Sequence, residues 1–217
     1  KEESINTILS YAALRKQNRI KKLYVTGCLS QRYRKELEAE IHEVDGFYGV
    51  ESVNSIAADL LKEDVVQGYV CDRVLSTPKH YAYLKISEGC NRRCAFCAIP
   101  LIRGGHVSVP MENLIEEAKG LAKQGVKELI LIAQDLTYYG HDLDGKSHFM
   151  DLVKALCEID GFEWVRLHYG YPLGFPDELL DLMRENPKIC HYIDLPLQHV
   201  STHILQAMRR GVDREQT

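Results

Sequence analysis

A predicted β-strand leads directly into three cysteines in the stretch Tyr81-Ala82-Tyr83-Leu84-Lys85-Ile86-Ser87-Glu88-Gly89-Cys90-Asn91-Arg92-Arg93-Cys94-Ala95-Phe96-Cys97. Residues 81–86 are the predicted strand, and the cysteines follow it with the spacing Cys-x3-Cys-x2-Cys. Closed structural zinc sites and ordinary ferredoxin-type clusters use four protein ligands. Three thiolates on one loop therefore indicate a metal centre with a vacant coordination position, where chemistry can take place.

A zinc knuckle completed by a distant Cys or His is the alternative interpretation of this spacing. His106 is one side chain that could supply the fourth ligand. Such a site would make the chain a zinc-stabilised binding module without catalysis. The spacing alone leaves both kinds of metal centre open.

From residue 81 onward, predicted strands and helices alternate along the chain. The strands are predicted at 81–86, 128–133, 164–168 and 189–195, and the helices at 110–124, 149–159, 176–185 and 201–208. Consecutive βα units predict a parallel sheet with right-handed connections that curls toward a barrel. Four units do not close an eight-stranded barrel, so the fold class predicted here is an α/β partial (β/α) barrel.

The first part of the chain is predicted to be a separate piece of α/β structure. Its pattern gives helices at 3–17, 30–41 and 54–61, with Ser30 as a helix cap, and strands near 23–26 and 44–53. These elements are typical of part of a small doubly wound domain. We therefore predict domains at 1–63 and 81–217, joined by a linker at 64–80 that carries little periodicity.

Polar residues lie in the last part of each predicted barrel strand or directly after it. They are the Cys90–Cys97 loop, Gln134-Asp135, Arg166 and His168 with Tyr169, and Gln198-His199. Active sites of β/α barrels lie at the carboxyl ends of the strands, so these groups are expected to share one rim. For Arg166 or either histidine alone, an internal ion pair or a satisfied buried imidazole is the structural alternative.

The cysteine loop, with Phe96 just before its last cysteine, resembles the signature of radical S-adenosylmethionine (SAM) enzymes. In that family three thiolates hold three irons of a [4Fe-4S] cluster, and the fourth iron binds SAM. Electron transfer from the cluster then cleaves SAM to methionine and a 5'-deoxyadenosyl radical. The resemblance implies that Cys90, Cys94 and Cys97 are the metal ligands.

A SAM site also needs polar groups for the methionyl and ribose parts of the molecule and an apolar surface for the adenine. We expect Gln134, Arg166 and Gln198 to supply the polar contacts. Phe96 and Ile99 are expected to supply the apolar surface. The sequence assigns no further catalytic residue.

Several longer motifs resemble the methylthiotransferase branch of this family, and within it the RimO type. They are residues 85–91, 99–104, 133–140, 166–169 and 195–199, including the stretch Gln134-Asp135-Leu136-Thr137-Tyr138-Tyr139-Gly140. The resemblance implies a transferase that adds a methylthio group to the β-carbon of an aspartate in the small-subunit ribosomal protein of the decoding centre. The alternative is the MiaB type, which modifies an adenosine in transfer RNA.

Cys28 lies in the stretch Val25-Thr26-Gly27-Cys28-Leu29-Ser30-Gln31-Arg32-Tyr33, which resembles the third cysteine motif of the family's N-terminal domain. There, three cysteines hold a second [4Fe-4S] cluster, so Cys28 is a predicted metal ligand. A strand leading into a helix N-terminus also favours a thiolate at this position. The structural alternative is an inert buried cysteine.

The resemblance further indicates a fragment of a longer protein. The first two cysteines of the family's N-terminal domain and its C-terminal β-domain have no counterpart in this sequence. Cys157 and Cys190 match no motif and are expected in the core, and Cys71 has no assigned role.

Composition is that of an ordinary globular chain, with 217 residues, 45% of them hydrophobic and 27% charged. The formal net charge is −4, from 27 basic and 31 acidic residues, which gives no support for nucleic-acid binding. Seven cysteines, an odd number, indicate reduced thiols and a cytoplasmic location. No apolar run approaches the ~20 residues that span a bilayer, so no membrane association is predicted.

Overall fold

The structure, a computed structural model, describes residues 1–50, 52–61 and 73–217. The chain divides into two units, Lys1–Gly68 with Leu101–Arg103, and Tyr69–Pro100 with Gly104–Thr217. The predicted domain limits at 63 and 81 stay a prediction. Residues 64–72 of the predicted linker, including Cys71, lie outside the described residues.

The N-terminal unit alternates helices with two very short parallel strands. Its elements are α1 (Glu2–Lys16), β1 (Tyr24–Val25), α2 (Cys28–Glu40), β2 (Gly46–Phe47) and α3 (Val53–Leu61). β1 and β2 pair in parallel, Tyr24 with Gly46 and Val25 with Phe47. The apolar side chains that they bury against the helices are Ile8, Ala12, Val25, Leu37, Ile41 and Phe47. This small parallel α/β layer matches the predicted class, with strands shorter than predicted.

The predicted helix cap at Ser30 is wrong. α2 begins at Cys28, with Gly27 at the N-cap position, and Ser30 lies fully buried within the first turn. Gly27 has a φ of 107°, a conformation that side-chain-bearing residues rarely adopt. This conformation lets the chain turn from β1 into a helix that begins two residues before the predicted start.

Asp45 connects three parts of the N-terminal unit. Its carboxylate accepts hydrogen bonds from Arg15 Nε at 3.0 Å, Lys22 Nζ at 2.9 Å and the backbone N–H of Leu23 at 2.8 Å. The Arg15 bond, followed by the Lys22 bond, holds the pKa of the Asp45 carboxyl well below its usual range. The residue therefore ties the end of α1 and the entry to β1 to the start of β2.

The C-terminal part of the chain contains the larger sheet. Its strands are β3 (Tyr81–Lys85), β4 (Ser87–Glu88), β5 (Val107–Ser108), β6 (Glu128–Ile132) and β7 (Trp164–His168). Its α-helices are α4 (Ile99–Arg103), α5 (Met111–Lys123), α6 (His141–Asp144), α7 (Phe149–Cys157), α8 (Glu178–Glu185) and α9 (Thr202–Ala207), with a 3-10 turn at Leu136–Tyr138. Among the described residues, no helix is long and apolar enough to cross a membrane.

β3, β6 and β7 form one parallel sheet in the order in which they occur along the chain. On one face every side chain is buried against the helices, namely Ala82, Leu84, Leu129, Leu131, Val165 and Leu167. Consecutive parallel strands joined by helices are the pattern of a β/α barrel, and no closed barrel is formed by the described residues. The predicted α/β class with a partial barrel is confirmed.

The predicted fourth strand at 189–195 is wrong. Within this described segment, only Ile189 pairs with a strand, forming a single parallel bridge to Val165. The backbone N–H of Tyr192 bonds to Cys190 O at 2.7 Å, closing a tight turn. This turn uses the Tyr192 N–H and the Cys190 carbonyl, which a strand would direct toward β7. The hydrogen-bonded pairing with β7 therefore stops after one bridge.

We expect the substitution Asp45→Asn to lower the free energy of unfolding by about 2 kcal/mol at neutral pH, because hydrogen bonds to a charged group are lost. The carboxyl pKa is lower in the folded than in the unfolded chain, so this stabilisation is present above pH ~4 and is lost as the pH falls through the folded pKa. Urea unfolding followed by circular dichroism at several pH values measures both effects.

Glu43→Gln is the matched control for this experiment, since Glu43 forms a long ion pair, at 3.8 Å, with the exposed Lys16. Its effect is expected to be within about 0.5 kcal/mol. Equal stabilities of the two variants at neutral pH would contradict the role assigned to Asp45.

Candidate functional site

The cysteine loop is anchored at both ends by a hairpin. β4 pairs antiparallel with β5, Glu88 opposite Val107, and the loop runs between them. Cys90 N donates to Gly104 O at 3.1 Å. Gly89 has a φ of 76°, and a Cβ there would lie 2.0 Å from Gly105 O. Only glycine therefore fits where the two sides of the loop approach each other, directly before the first cysteine.

Two of the three sulfur atoms are hydrogen-bonded within the loop itself. Cys90 Sγ accepts from the backbone N–H of Arg92 at 3.4 Å, and Cys97 Sγ accepts from that of Ile99 at 3.5 Å. Cys90 is the most deeply buried of the three, and this burial raises the pKa of its thiol. The loop backbone thus orients two thiols with its own amide groups.

Cys94 instead has partners from distant parts of the chain. Its Sγ lies 3.4 Å from Arg210 Nη1 and 3.4 Å from the hydroxyl of Tyr171. The next amide, Ala95 N, donates to Met208 O at 3.0 Å. The middle of the loop is therefore held by the segment that follows α9.

His106, the suggested fourth ligand of a zinc knuckle, belongs to a separate buried network. Its Nε2 lies 3.1 Å from Ser108 Oγ, which donates to Asp142 Oδ1 at 2.5 Å. Burial lowers the pKa of the imidazole. Among the described residues, no three His, Cys, Asp or Glu side chains converge on a point where one metal ion would fit.

A cavity of about 260 Å³ lies beside the loop. It is lined by Cys90, Arg92, Cys94, Phe96, Cys97, Ile99, Ala133, Gln134, Tyr169, Tyr171 and Arg210. The three cysteines thus share one cavity with three of the predicted cofactor residues, Phe96, Ile99 and Gln134. A concave site with mostly apolar walls and a few polar groups is typical of cofactor pockets.

Gln134 presents an unused acceptor at this cavity. Its Oε1 is buried and has no hydrogen-bond partner among the described residues, while its Nε2 donates to Glu88 Oε1 at 3.0 Å. A buried carbonyl oxygen without a partner is costly, so an N–H or O–H donor from a ligand would stabilise it.

Arg92 is fixed between a carboxylate and an aromatic ring. Its Nε donates to Asp135 Oδ2 at 2.9 Å, and its guanidinium lies 4.3 Å from the ring centre of Tyr171. Asp135 is 1% exposed, and Thr137 Oγ1 donates to its other oxygen at 2.7 Å. This ion pair joins the cysteine loop to the residues that follow β6.

The structure does not bring Arg166 and Gln198 to the cavity. Arg166 pairs with Glu128 within the sheet and lies 5.4 Å from the ring centre of Tyr192. Gln198 is exposed, with a φ of 71°. The internal ion pair given as the structural alternative for Arg166 is the arrangement observed, and the assignment of both residues as cofactor contacts remains a prediction.

Sequence reasoning missed Arg92, Tyr171 and Arg210 as residues of this site. Arg92 lies inside the cysteine motif and Tyr171 lies just past the end of β7, so motif position and strand exit were signals for these two. Arg210 follows α9 next to the exposed Arg209, and no local pattern distinguishes it from a surface arginine.

The remaining described cysteines differ in their burial. Cys28 is exposed at the first residue of α2. Cys157 is buried in the main core, where burial raises the pKa of its thiol to about 11, and Cys190 is half-buried. Cys157 therefore has the surroundings expected of a structural cysteine.

Comparison with known proteins identifies the family. The model of the radical SAM superfamily matches residues 84–217, from the strand before the cysteine loop to the last residue. The chain belongs to the radical SAM superfamily. This membership confirms the predicted cofactor class, a [4Fe-4S] cluster with SAM.

Two relatives illustrate the closer similarity. "Ribosomal protein uS12 methylthiotransferase RimO" of Flavobacterium johnsoniae is 54% identical over the whole chain, which covers 49% of that protein. The protein of the same name from Phocaeicola vulgatus is 51% identical over the whole chain, covering 50% of its length. The resemblance to the RimO type is therefore confirmed, and the chain spans about half the length of the curated relatives it matches.

A solved structure supports the fold alone. The radical SAM methyltransferase TsrM from Kitasatospora setae, determined with tryptophan and a SAM analogue, superimposes with a TM-score of 0.50. Its sequence identity is 17%, and the match covers 67% of this chain and 29% of TsrM.

We expect Asp135→Asn to lower the free energy of unfolding by about 3 kcal/mol, because it leaves the largely buried Arg92 without its carboxylate. Urea denaturation measures this loss. Asp151→Asn is the matched control, since the Asp151 side chain is 68% exposed. Similar unfolding midpoints for both variants would refute a structural role for the Arg92–Asp135 pair.

Proposed function

We propose that this chain is the radical SAM part of a methylthiotransferase that adds a methylthio group to the β-carbon of an aspartate in ribosomal protein uS12. The observation that carries this proposal is the loop of three cysteines opening onto one cavity with Gln134, whose buried Oε1 has no partner in the described part of the chain. The identity of 51–54% to proteins named for uS12 methylthiotransfer supports the choice of reaction and substrate.

Cys90, Cys94 and Cys97 are the proposed ligands of the [4Fe-4S] cluster. Thiolates are the usual ligands of iron–sulfur clusters. The three sulfurs line one cavity, so that all three can act on one cluster. When bound, the cluster and SAM supply radical chemistry able to remove hydrogen from an unactivated C–H bond.

In this proposal, the other residues of the cavity bind SAM and shield the reaction from water. Gln134 Oε1 accepts a hydrogen bond from SAM, and Phe96 with Ile99 provides an apolar surface for it. Tyr169 and Tyr171 lie on the same cavity, and burial raises the pKa of both phenols. Neutral aromatic walls limit the access of water, which protects a reactive radical from side reactions.

Cys28 is proposed as one ligand of a second cluster that handles the sulfur, as the family resemblance implies. It is exposed at the first residue of α2. The two further ligands required would come from residues outside this sequence.

Protein rather than transfer RNA is the favoured substrate. The net charge of −4 offers no general attraction for phosphates, and the quoted relatives carry the name of a ribosomal protein. A substrate in the small ribosomal subunit places the proposed reaction in the cytoplasm.

Anaerobic reconstitution with iron and sulfide tests the cluster. We expect a reduced [4Fe-4S] signal in electron paramagnetic resonance that changes when SAM is added. Single substitutions Cys90→Ala, Cys94→Ala and Cys97→Ala are expected to abolish this signal and most of the bound iron. Cys190→Ala is the matched control and should retain both. Stoichiometric zinc without such a signal would contradict the cluster assignment and favour a non-catalytic module.

The substrate is tested with the full-length protein, reductant and SAM. Mass spectrometry should detect replacement of one hydrogen by a methylthio group on an aspartate of uS12, and no change in transfer RNA. Cys94→Ala in the same protein should be inactive. Modification of an adenosine with uS12 unchanged would instead establish the transfer RNA reaction.

A further inference from the structure

Arg210 is a buried cation that has no carboxylate partner within the described residues. It is 2% exposed, and none of the ion pairs among the described residues involves it. Its Nη2 donates to Pro196 O at 2.6 Å, and its Nε is buried with no partner in the described part of the chain. A buried charge is expensive unless an opposite charge compensates it.

The atom placed to compensate this charge is the sulfur of Cys94. Arg210 Nη1 lies 3.4 Å from Cys94 Sγ. The hydroxyl of Tyr171 lies at the same distance, but it donates its only proton to Arg210 O at 2.8 Å. Arg210 is therefore the side chain that donates to Cys94 when the sulfur is a thiolate.

Cys94 thereby differs from the two other cysteines of the loop. Cys90 and Cys97 accept from neutral backbone amides two residues further on, whereas Cys94 accepts from a charged side chain 116 positions away. The guanidinium is also held in place, lying 4.2 Å from the ring centre of Tyr171. Arg92 occupies the other polar position near this ring, but Asp135 already neutralises it.

We propose that Arg210 sets the reduction potential of the cluster by donating a charge-assisted hydrogen bond to the Cys94 thiolate. This inference rests on the proposed function, since it assumes that Cys94 is a cluster ligand. Arg210 is a positioning residue in this role, because it acts on the cluster through Cys94.

The direction of the effect follows from electrostatics. Reduction adds one negative charge to the cluster, and a nearby cation with an N–H donor stabilises the reduced form more than the oxidised form. Hydrogen bonds to the sulfurs, local charge and solvent exposure are the main factors that set cluster potentials. Arg210 therefore raises the potential and makes the first electron transfer easier.

The test is a redox titration of the reconstituted full-length protein in the absence of SAM. A parallel sample with SAM identifies which reduced-cluster signal belongs to the SAM-binding cluster, and the titration follows that signal. In Arg210→Met, we expect the ratio of reduced to oxidised cluster at the wild-type midpoint to fall at least tenfold, equal to 59 mV for one electron. Arg210→Lys keeps the charge without the planar group and should show a smaller decrease. Iron content is measured for every variant.

Two controls separate this role from general structural effects. Arg209→Met changes the exposed neighbour and should retain the wild-type midpoint. Tyr171→Phe keeps the ring beside the guanidinium, removes the hydroxyl near Cys94, and should also retain it. A decrease in Tyr171→Phe with none in Arg210→Met would identify the phenol as the donor and overturn the proposal.

The remaining outcomes are also decisive. Unchanged midpoints in Arg210→Met and Arg210→Lys, with iron retained, would refute this inference and leave the proposed function intact. Loss of iron from both variants would likewise refute it, because Arg210 would then act on cluster assembly. A wild-type protein that assembles no cluster would contradict the proposed function itself.

Discussion

The parallel pairing of β3, β6 and β7 is the constraint on which the site depends. Their last paired residues, Lys85, Ile132 and His168, lie in one row across the sheet. The chain therefore leaves all three strands at the same edge. This register brings the cysteine loop, Gln134 and the tyrosines after β7 to one cavity, although they are far apart in sequence. The side chains on the face of the sheet that is buried against the helices fix this register, because a one-residue slip would expose them.

The ring of Tyr171 contacts arginines from two other segments of the chain. One guanidinium, Arg92, comes from the cysteine loop and lies 4.3 Å from the ring centre, and the other, Arg210, follows α9 and lies 4.2 Å from it. Aromatic rings attract cations through the negative charge of their faces. The ring thus links the loop, the exit of β7 and the end of the chain at the position where the cluster is proposed.

Hydrophobic periodicity was sufficient to predict most of the fold. The strand at Glu128–Ile132, for example, is predicted by a nearly continuous apolar run, which is typical of a buried parallel strand. The same reasoning failed at 189–195, since a turn at Tyr192 is decided by backbone hydrogen bonds that side-chain patterns do not reveal. In the site, motif spacing identified the cysteines and strand exits identified Gln134. Arg210 was not predictable, because its burial results from tertiary contacts between segments distant in sequence.

The two arginines of the site differ in what neutralises them, and this difference bears on folding. Arg92 forms an ion pair with the Asp135 carboxylate at 2.9 Å, a partner supplied by the chain itself. Arg210 faces the sulfur of Cys94 instead of a carboxylate. On the proposed function, cluster binding supplies the anion that this buried guanidinium otherwise lacks. Metal binding and the docking of the segment after α9 are then thermodynamically linked, as they are wherever ligand deprotonation and folding are coupled.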